Sequence, residues 1–270
     1  MDPGGKVYGL WLNQKGKVLA DSYILRRGPE DYLVFAPRVS PGVLRERLEA
    51  YLIADEVTID DITSHWSSIW LWGEQKLLRT QLETLNIGGA LRQDEFVEVD
   101  GALVWTAREP QEGGYLLLCP STDQVRWSER LAQAGLTTAS WDDFERARLT
   151  AGVPVVPEDI GPADLPNEGK LEQVAISYTK GCYLGQKVMS RLKNLGQVRR
   201  KLHRVRGPGE PPAYGTAVFQ GGQRVGEFRS AARDRDGFVA FAMLSLVSLK
   251  PDIALSRSAD GAADIALAHG

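Results

Sequence analysis

A seven-residue stretch, Lys180-Gly181-Cys182-Tyr183-Leu184-Gly185-Gln186, constrains this chain more than any other. It sets one of only two cysteines between two glycines, directly before an amphipathic run from Gln186 to Asn194. Glycine reaches backbone angles that other residues resist, so Gly181 and Gly185 predict a tight turn. The turn delivers a thiol to the N-terminus of a helix. That end of a helix carries partial positive charge, and Lys180 and Lys187 add full charges beside it; both favour thiolate over thiol. Cys182 is therefore a candidate reactive or ligating sulfur. A free cysteine also serves as a small buried hydrophobe, and the local sequence leaves both readings open.

The second cysteine, Cys119, closes the apolar run Tyr115 to Cys119 and reads as part of a buried strand. Two such cysteines do not make a disulfide scaffold, and a reducing, cytoplasmic setting fits them. No apolar run approaches the roughly 20 residues needed to cross a bilayer, so no membrane partner is expected. Met1 to Gly5 has neither a basic leader nor an apolar core and reads as carrying no export signal. Charge is unevenly placed. Between Glu172 and Glu210 there is no acidic residue, while nine basic ones lie from Lys180 to Arg206. That asymmetry reads as a local anion site or as a solvated basic face. Bases stack on interleaved aromatics, and Tyr183 alone is available in that span, so nucleic acid is not an expected partner.

Along the chain, Val7 to Leu12 and Lys17 to Leu25 read as strands joined by the turn Asn13-Gln14-Lys15-Gly16. Helices are expected over Pro41 to Leu52, Glu74 to Leu85, from Ser121 or Thr122 to about Ala134, and Trp141 to Ala151. The last has Ser140 as its cap, Asp143 three residues on, and Gly152 as its stop. Further strands are expected over Tyr32 to Ala36, Glu56 to Ile62, His65 to Trp72, Phe96 to Val99, Ala102 to Thr106 and Val174 to Ser177. Trp66, Trp70 and Trp72 alternate, which reads as packing or as an aromatic wall for a flat ring. Pro154 to Pro166 reads as extended loop. From residue 198 onward, short strands broken by glycine turns suggest a small β-barrel, with Ala259 to Gly270 fraying. The expected organisation is α+β, in three segments: 1–119, 120–197 and 198–270, the last being the barrel.

The cysteine string resembles the K-G-C-[YF]-x-G-Q-E signature of the YgfZ-type folate-binding proteins, relatives of the aminomethyltransferase of the glycine cleavage system. Lys187 stands where that signature ends in Glu. Leu12 to Asp21 is similar to the L-N-x-x-G-[KR]-[IV]-x-A-D hairpin of the same proteins. Arg146 to Pro154 is similar to their R-[IL]-x-A-G-x-P segment, and Leu165-Pro166-Asn167-Glu168 to their L-P-x-E. The resemblance implies a GcvT-like cloverleaf of α+β domains with a small C-terminal β-barrel around a folate cavity. It implies an accessory role in assembly or repair of iron–sulfur clusters, with folate and iron–sulfur client or assembly proteins as partners, not classical turnover. Cys182 would be the catalytic thiol, with Lys180, Gly181, Tyr183, Gly185, Gln186 and Arg191 shaping its turn. Asn13, Asp21 and Arg148 would contact tetrahydrofolate or a derivative. No resident metal site is implied, since one thiol cannot hold a cluster that needs four protein ligands.

Aminomethyltransferases carry two adjacent acids where this chain has Ala20-Asp21, and a pterin-holding Glu where it has Thr150. Both differences weigh against the alternative activity, folate-dependent one-carbon transfer. A non-enzymatic anion- or nucleic-acid-binding module is the third class. Members of the family also carry a strand-helix-strand segment before the hairpin. Either the true start lies upstream or the first segment is built short; without those elements a sheet edge and apolar helix faces are expected to be exposed.

Overall fold

The computed structural model describes residues 1–54, 56–87, 91–111, 113–250 and 253–268. The chain divides into two compact units. One comprises Met1–Gly9 with Asp21–Ala139, the other Leu10–Ala20 with Ser140 onward. The hairpin of β1 (Lys6–Leu12) and β2 (Val18–Arg26) thus contributes its base to the first unit and its tip to the second.

In the first unit, β3 (Tyr32–Phe35) pairs with β2 and ends a three-stranded sheet, exposing Tyr32 and Val34. After α1 (Pro41–Glu49), a second sheet forms from β4 (Trp66–Leu71), β5 (Phe96–Val99), β6 (Ala102–Ala107) and β7 (Gly114–Pro120), in the order β4-β7-β6-β5. The helices α2 (Gln75–Glu83) and α3 (Gln124–Gln133) belong to the same unit.

Side chains alternate across a strand, and here both faces are buried. Ala102, Val104, Leu117 and Cys119 pack with Leu78 and Leu82 of α2 and Trp127 and Leu131 of α3. Leu103, Trp105, Leu116 and Leu118 pack with Tyr23, Leu25 and Leu33 of the three-stranded sheet. Burial on two faces explains why β6 and β7 read as near-continuous apolar runs. Trp66 and Trp70 join the second of these clusters as packing residues.

The second unit starts with α4 (Trp141–Ala151). Its Ser140–Asp143 capping box forms as expected, and Gly152 ends it in the left-handed region at φ 78°. One turn, α5 (Glu172–Ala175), precedes α6 (Gln186–Leu195). Then β8 (Arg200–Pro208), β9 (Ala217–Gln220), β10 (Gln223–Asp234), β11 (Gly237–Ser245) and β12 (Ala266–Leu267) form a sheet in the order β12-β8-β11-β10-β9. A bulge between Phe228 and Ala231 bends β10. One face of β11, through Phe238, Ala240, Ala242 and Leu244, fills the sheet's own core with Val205, Val218 and Phe228. Its other face meets Leu149 of α4 through Val239 and Phe241. Met243 reaches a further cluster with Leu12, Val18, Ile160 and Met189.

Three expectations are corrected. Glu56 to Ile62 is irregular and mostly exposed, so its alternating apolar residues have no sheet to face. Val174 to Ser177 is not a strand: Ala175 N–H donates to Leu171 O at 3.0 Å, winding the single turn of α5. The described part of Ala259 to Gly270 does not fray. Ile265 is fully buried, and Ala266 and Leu267 pair with β8.

Candidate functional site

The cysteine loop is built on the hairpin tip. The side-chain oxygen of Asn13 accepts hydrogen bonds from Lys15 N–H (2.9 Å) and Lys17 N–H (3.0 Å), and its carbonyl accepts from Gly16 N–H (2.9 Å). This fixes a tight turn whose apex, Gly16, is buried at φ 71°. Gly185 caps α6 at φ 82°. A Cβ on Gly185 would lie 2.8 Å from Gly16 Cα and 3.0 Å from Asn13 O; one on Gly16 would lie 3.0 Å from Met189 Cε. The two glycines therefore let two backbones touch, and two strings some 170 residues apart form one structure. Gly181 differs. Its φ is outside the left-handed region and an added Cβ would meet nothing within 4 Å, so this backbone does not require a glycine there.

Between these anchors, Ser177 Oγ accepts from Thr179 N–H (3.4 Å) and Lys180 N–H (3.2 Å), and Tyr183 O accepts from Gln186 N–H (3.2 Å). Tyr183 turns inward beside Leu12 and Met189. Its hydroxyl is buried without a partner, and burial, then the neighbouring Tyr178, pushes its pKa up. Cys182 faces out and is exposed, whereas Cys119 is buried. Lys180 Nζ lies 5.1 Å from the Tyr183 ring centre and Lys193 Nζ 4.3 Å from that of Tyr178. Lys187 and Arg191 are exposed on α6. Among the described residues, none of these four cations has a carboxylate in ion-pair range. Three later cations of the basic span are engaged. Arg200 binds Asp164 (2.9 Å) and Glu168 (3.1 Å), Arg206 pairs with Asp234 (3.7 Å), and Arg204 donates to Thr150 O.

The three residues expected to contact a cofactor are not equivalent. Asn13 spends its side-chain oxygen on its own turn. Arg148 is 1% exposed; it donates to Asp159 Oδ2 at 2.7 Å and through Nε to Glu145 at 2.9 Å, so it is an internal strut with no face toward a ligand. Asp159, itself fully buried, also accepts from Val155 N–H and Ser230 N–H. Asp21, in the first unit, is buried and accepts from Tyr8 OH at 2.8 Å through Oδ2, while Oδ1 has no partner. Burial raises its pKa, against the opposing charge of Arg108. Arg108 also sits 5.0 Å from the Tyr8 ring centre, and its N–H donates to Tyr23 OH at 2.8 Å. Of this group only Asp21 was singled out from sequence; Tyr8, Tyr23 and Arg108 were not. The nearest signal was a Tyr at each of two adjoining strands, which by itself reads as packing. Among the described residues, no group of three or more His, Cys, Asp or Glu is placed to hold a metal ion, and no helix is long and apolar enough to cross a membrane.

The fold that carries this glycine-anchored cysteine loop is shared with an aminomethyltransferase of the glycine cleavage system. The homologues of the chain are IBA57-type iron–sulfur cluster assembly factors, YgfZ proteins and aminomethyltransferases. It is 28% identical to the human iron-sulfur cluster assembly factor IBA57, mitochondrial, over 97% of this chain and 70% of that one. It is 28% identical to the corresponding IBA57 homolog, mitochondrial, of Cryptococcus neoformans over 74% of this chain, and spans 56% of that relative's length. Residues 199–267 match the family model of the CAF17 C-terminal beta-barrel domain. The glycine cleavage system aminomethyltransferase T from Bartonella henselae, a crystal structure, shares the fold with a TM-score of 0.79 at 19% identity, covering 96% of this chain and 76% of that one. The expected α+β fold with a C-terminal β-barrel therefore holds.

The cytoplasmic setting does not. Both IBA57 relatives are mitochondrial proteins. Unpaired cysteines tell a reducing compartment from an oxidising one and do not separate one reducing compartment from another.

Proposed function

We propose that this chain is an accessory protein for the assembly or repair of iron–sulfur clusters in other proteins, and that it acts through the Cys182 thiol. The observation that carries this reading is the exposure of Cys182 on a loop pinned by the Gly16–Gly185 backbone contact. The names of its IBA57 relatives support it. A thiol must lose its proton to bind iron, and the proton passes to solvent. One thiolate supplies one of the roughly four ligands a cluster needs. Cys182 therefore completes a cluster shared with a client or assembly protein, the cluster being cargo. Lys180, Lys187, Arg191 and Lys193, free of carboxylates, favour an acidic partner surface at this loop. Gln186 opens the helix that carries three of these cations.

Tetrahydrofolate, or a derivative, is the finer part of the proposal. The residues fit it only at Asp21, whose unpartnered buried Oδ1 would accept an N–H from the ligand. Asn13 and Arg148 are committed elsewhere, so no chemical step is assigned to folate.

The test is Cys182→Ser in cells lacking the native chain. Because the residue is exposed, the variant should match the parent in thermal unfolding yet fail to restore the activity of an iron–sulfur enzyme. Full restoration by the Ser variant would refute the role of the sulfur. Calorimetric titration of tetrahydrofolate into the parent and Asp21→Asn tests the finer part. Absent binding, or equal binding by both, would remove it.

A further inference from the structure

A cavity of about 280 Å³ lies in the second unit, lined by Asn167, Glu172, Leu192, Val198, Lys201 and Leu246 among others. Leu192 places it toward the C-terminal end of α6. At 1.5 Å per residue, the ten residues of that helix span about 15 Å, and Cys182 precedes its other end. The role proposed for the thiol does not use this cavity.

Its polar residues are incompletely satisfied. Glu172 Oε2 and Asn167 Oδ1 are both cut off from solvent and both lack a hydrogen-bond partner. Buried acceptors are seldom left unpaired, and a carboxylate oxygen least cheaply of all. Lys201 lines the same space. Its neighbour Arg200 takes the carboxylates of Asp164 and Glu168. Lys201 has no ion pair among the described residues, and in particular none with Glu172. One cavity thus presents a carboxylate and an ammonium that do not reach each other, with Leu192, Val198 and Leu246 as apolar wall.

We propose that this cavity binds a free α-amino acid with an aliphatic side chain. The ligand's ammonium donates to Glu172 and Asn167, its carboxylate meets Lys201, and its side chain lies against the three apolar residues. An amine without a carboxylate would leave Lys201 unmatched. A carboxylate without an amine would leave two orphaned acceptors. A zwitterion carries both charges on one carbon and answers both. The volume sits near the lower end for small-molecule sites, about 300 Å³, which suits a ligand of this size.

The experiment is calorimetric titration of the full chain with L-leucine and L-valine. Two leucine analogues are run beside them, 4-methylpentanoate without the amine and isoamylamine without the carboxylate. An amino acid should bind, and loss of either charge from the ligand should weaken binding about tenfold or more. Glu172→Gln and Lys201→Met should weaken it to a similar degree, and Cys182→Ser should leave it unchanged. The analogues act on the unaltered protein, so the result stands even where a variant folds poorly. Absence of binding by either amino acid at about 10 mM would mean that water alone fills the cavity, and would overturn the proposal. So would binding of either analogue as tightly as leucine. Cys182→Ser separates this result from the cluster-assembly reading, which can fail while amino-acid binding persists.

Discussion

Gly185→Ala asks whether the hairpin tip holds the cysteine loop. At φ 82° any residue with a Cβ is in the left-handed region, which costs about 1–2 kcal/mol. The new Cβ would also lie 2.8 Å from Gly16 Cα and 3.0 Å from Asn13 O. Both are backbone atoms of a turn held by three hydrogen bonds, so neither can swing aside as a side-chain tip does. Overpacking of this kind adds about 1–3 kcal/mol. The expected loss is therefore about 2–5 kcal/mol, a large part of the about 5–15 kcal/mol that holds a typical domain. Gly181→Ala is the control inside the same loop. Its Cβ meets nothing and its φ is permissive, so the smaller unfolded-state freedom of Ala should leave it equal to the parent or about 0.4–1 kcal/mol more stable. Urea unfolding followed by far-ultraviolet circular dichroism measures both. Alkylation of Cys182 by iodoacetamide gives a second readout, with buried Cys119 as the slow internal reference. The rate should change in Gly185→Ala and stay constant in Gly181→Ala. A Gly185→Ala protein within about 0.5 kcal/mol of the parent, or a Gly181→Ala protein equally damaged, would refute the idea that the two glycine strings form one structural unit.

Arg148→Ala should cost about 3–5 kcal/mol, because it strands the fully buried Asp159 without its cation; a ligand-binding Arg would instead leave urea unfolding unchanged and lower affinity. Lys6 is buried, and burial brings its pKa from 10.5 down to about 8, against the opposing pull of Asp94. The unfolded chain thus binds more protons between those values, so the penalty is complete below pH 8 and fades as pH rises to 10.5. Relative to Lys6→Met, the parent should gain up to about 3 kcal/mol across that window, and a flat difference in unfolding free energy would contradict the burial effect. Asp21 is shifted the other way in consequence, since burial raises its pKa. Burial disfavours the ionised carboxylate, so stability is lost as pH climbs from the ordinary carboxylate range through the raised folded value. Asp21→Asn should therefore raise the melting temperature at pH 7 more than at pH 4, and an equal or reversed shift would exclude a buried, costly charge.

The parts of the fold visible in the sequence are those decided within a few residues. Ser140, Asp143 and Gly152 bound α4 because a capping box and a left-handed stop are local chemistry. The strands β6 and β7 showed themselves because both of their faces are apolar. The misread segments depend on distant partners. Val57 and Ile59 alternate as a strand would, yet no sheet edge receives them. Val174 looked extended until its turn closed onto Leu171. The site divides in the same way. Gly185 and Asn13 sit in turns that each string announces, whereas their contact is long-range and no spacing reveals it. Tyr8, Asp21 and Arg108 come from three separated strands or loops. Glu172 and Lys201 are 29 residues apart on opposite sides of a helix whose end they border only in space.

The acid-free span from Lys180 to Arg206 shows why linear charge misleads. Asp159 and Asp164 look like surface acids of a proline-rich loop, yet both are essentially buried and both accept backbone N–H groups and a guanidinium. Asp164 and Glu168 take Arg200, and Asp234 takes Arg206, so two cations of β8 are neutralised by residues outside the span. Lys180, Lys187, Arg191 and Lys193 keep their charge, and they lie on the loop of Cys182 and the helix after it. Four cations thus gather around the one exposed thiol, while on β8 the charge is lowered at Arg200 and Arg206. Substituting Lys187 and Arg191 together with Glu should then slow alkylation of Cys182 by the anionic reagent iodoacetate more than by neutral iodoacetamide. An equal change with both reagents would place the effect in loop geometry and not in charge.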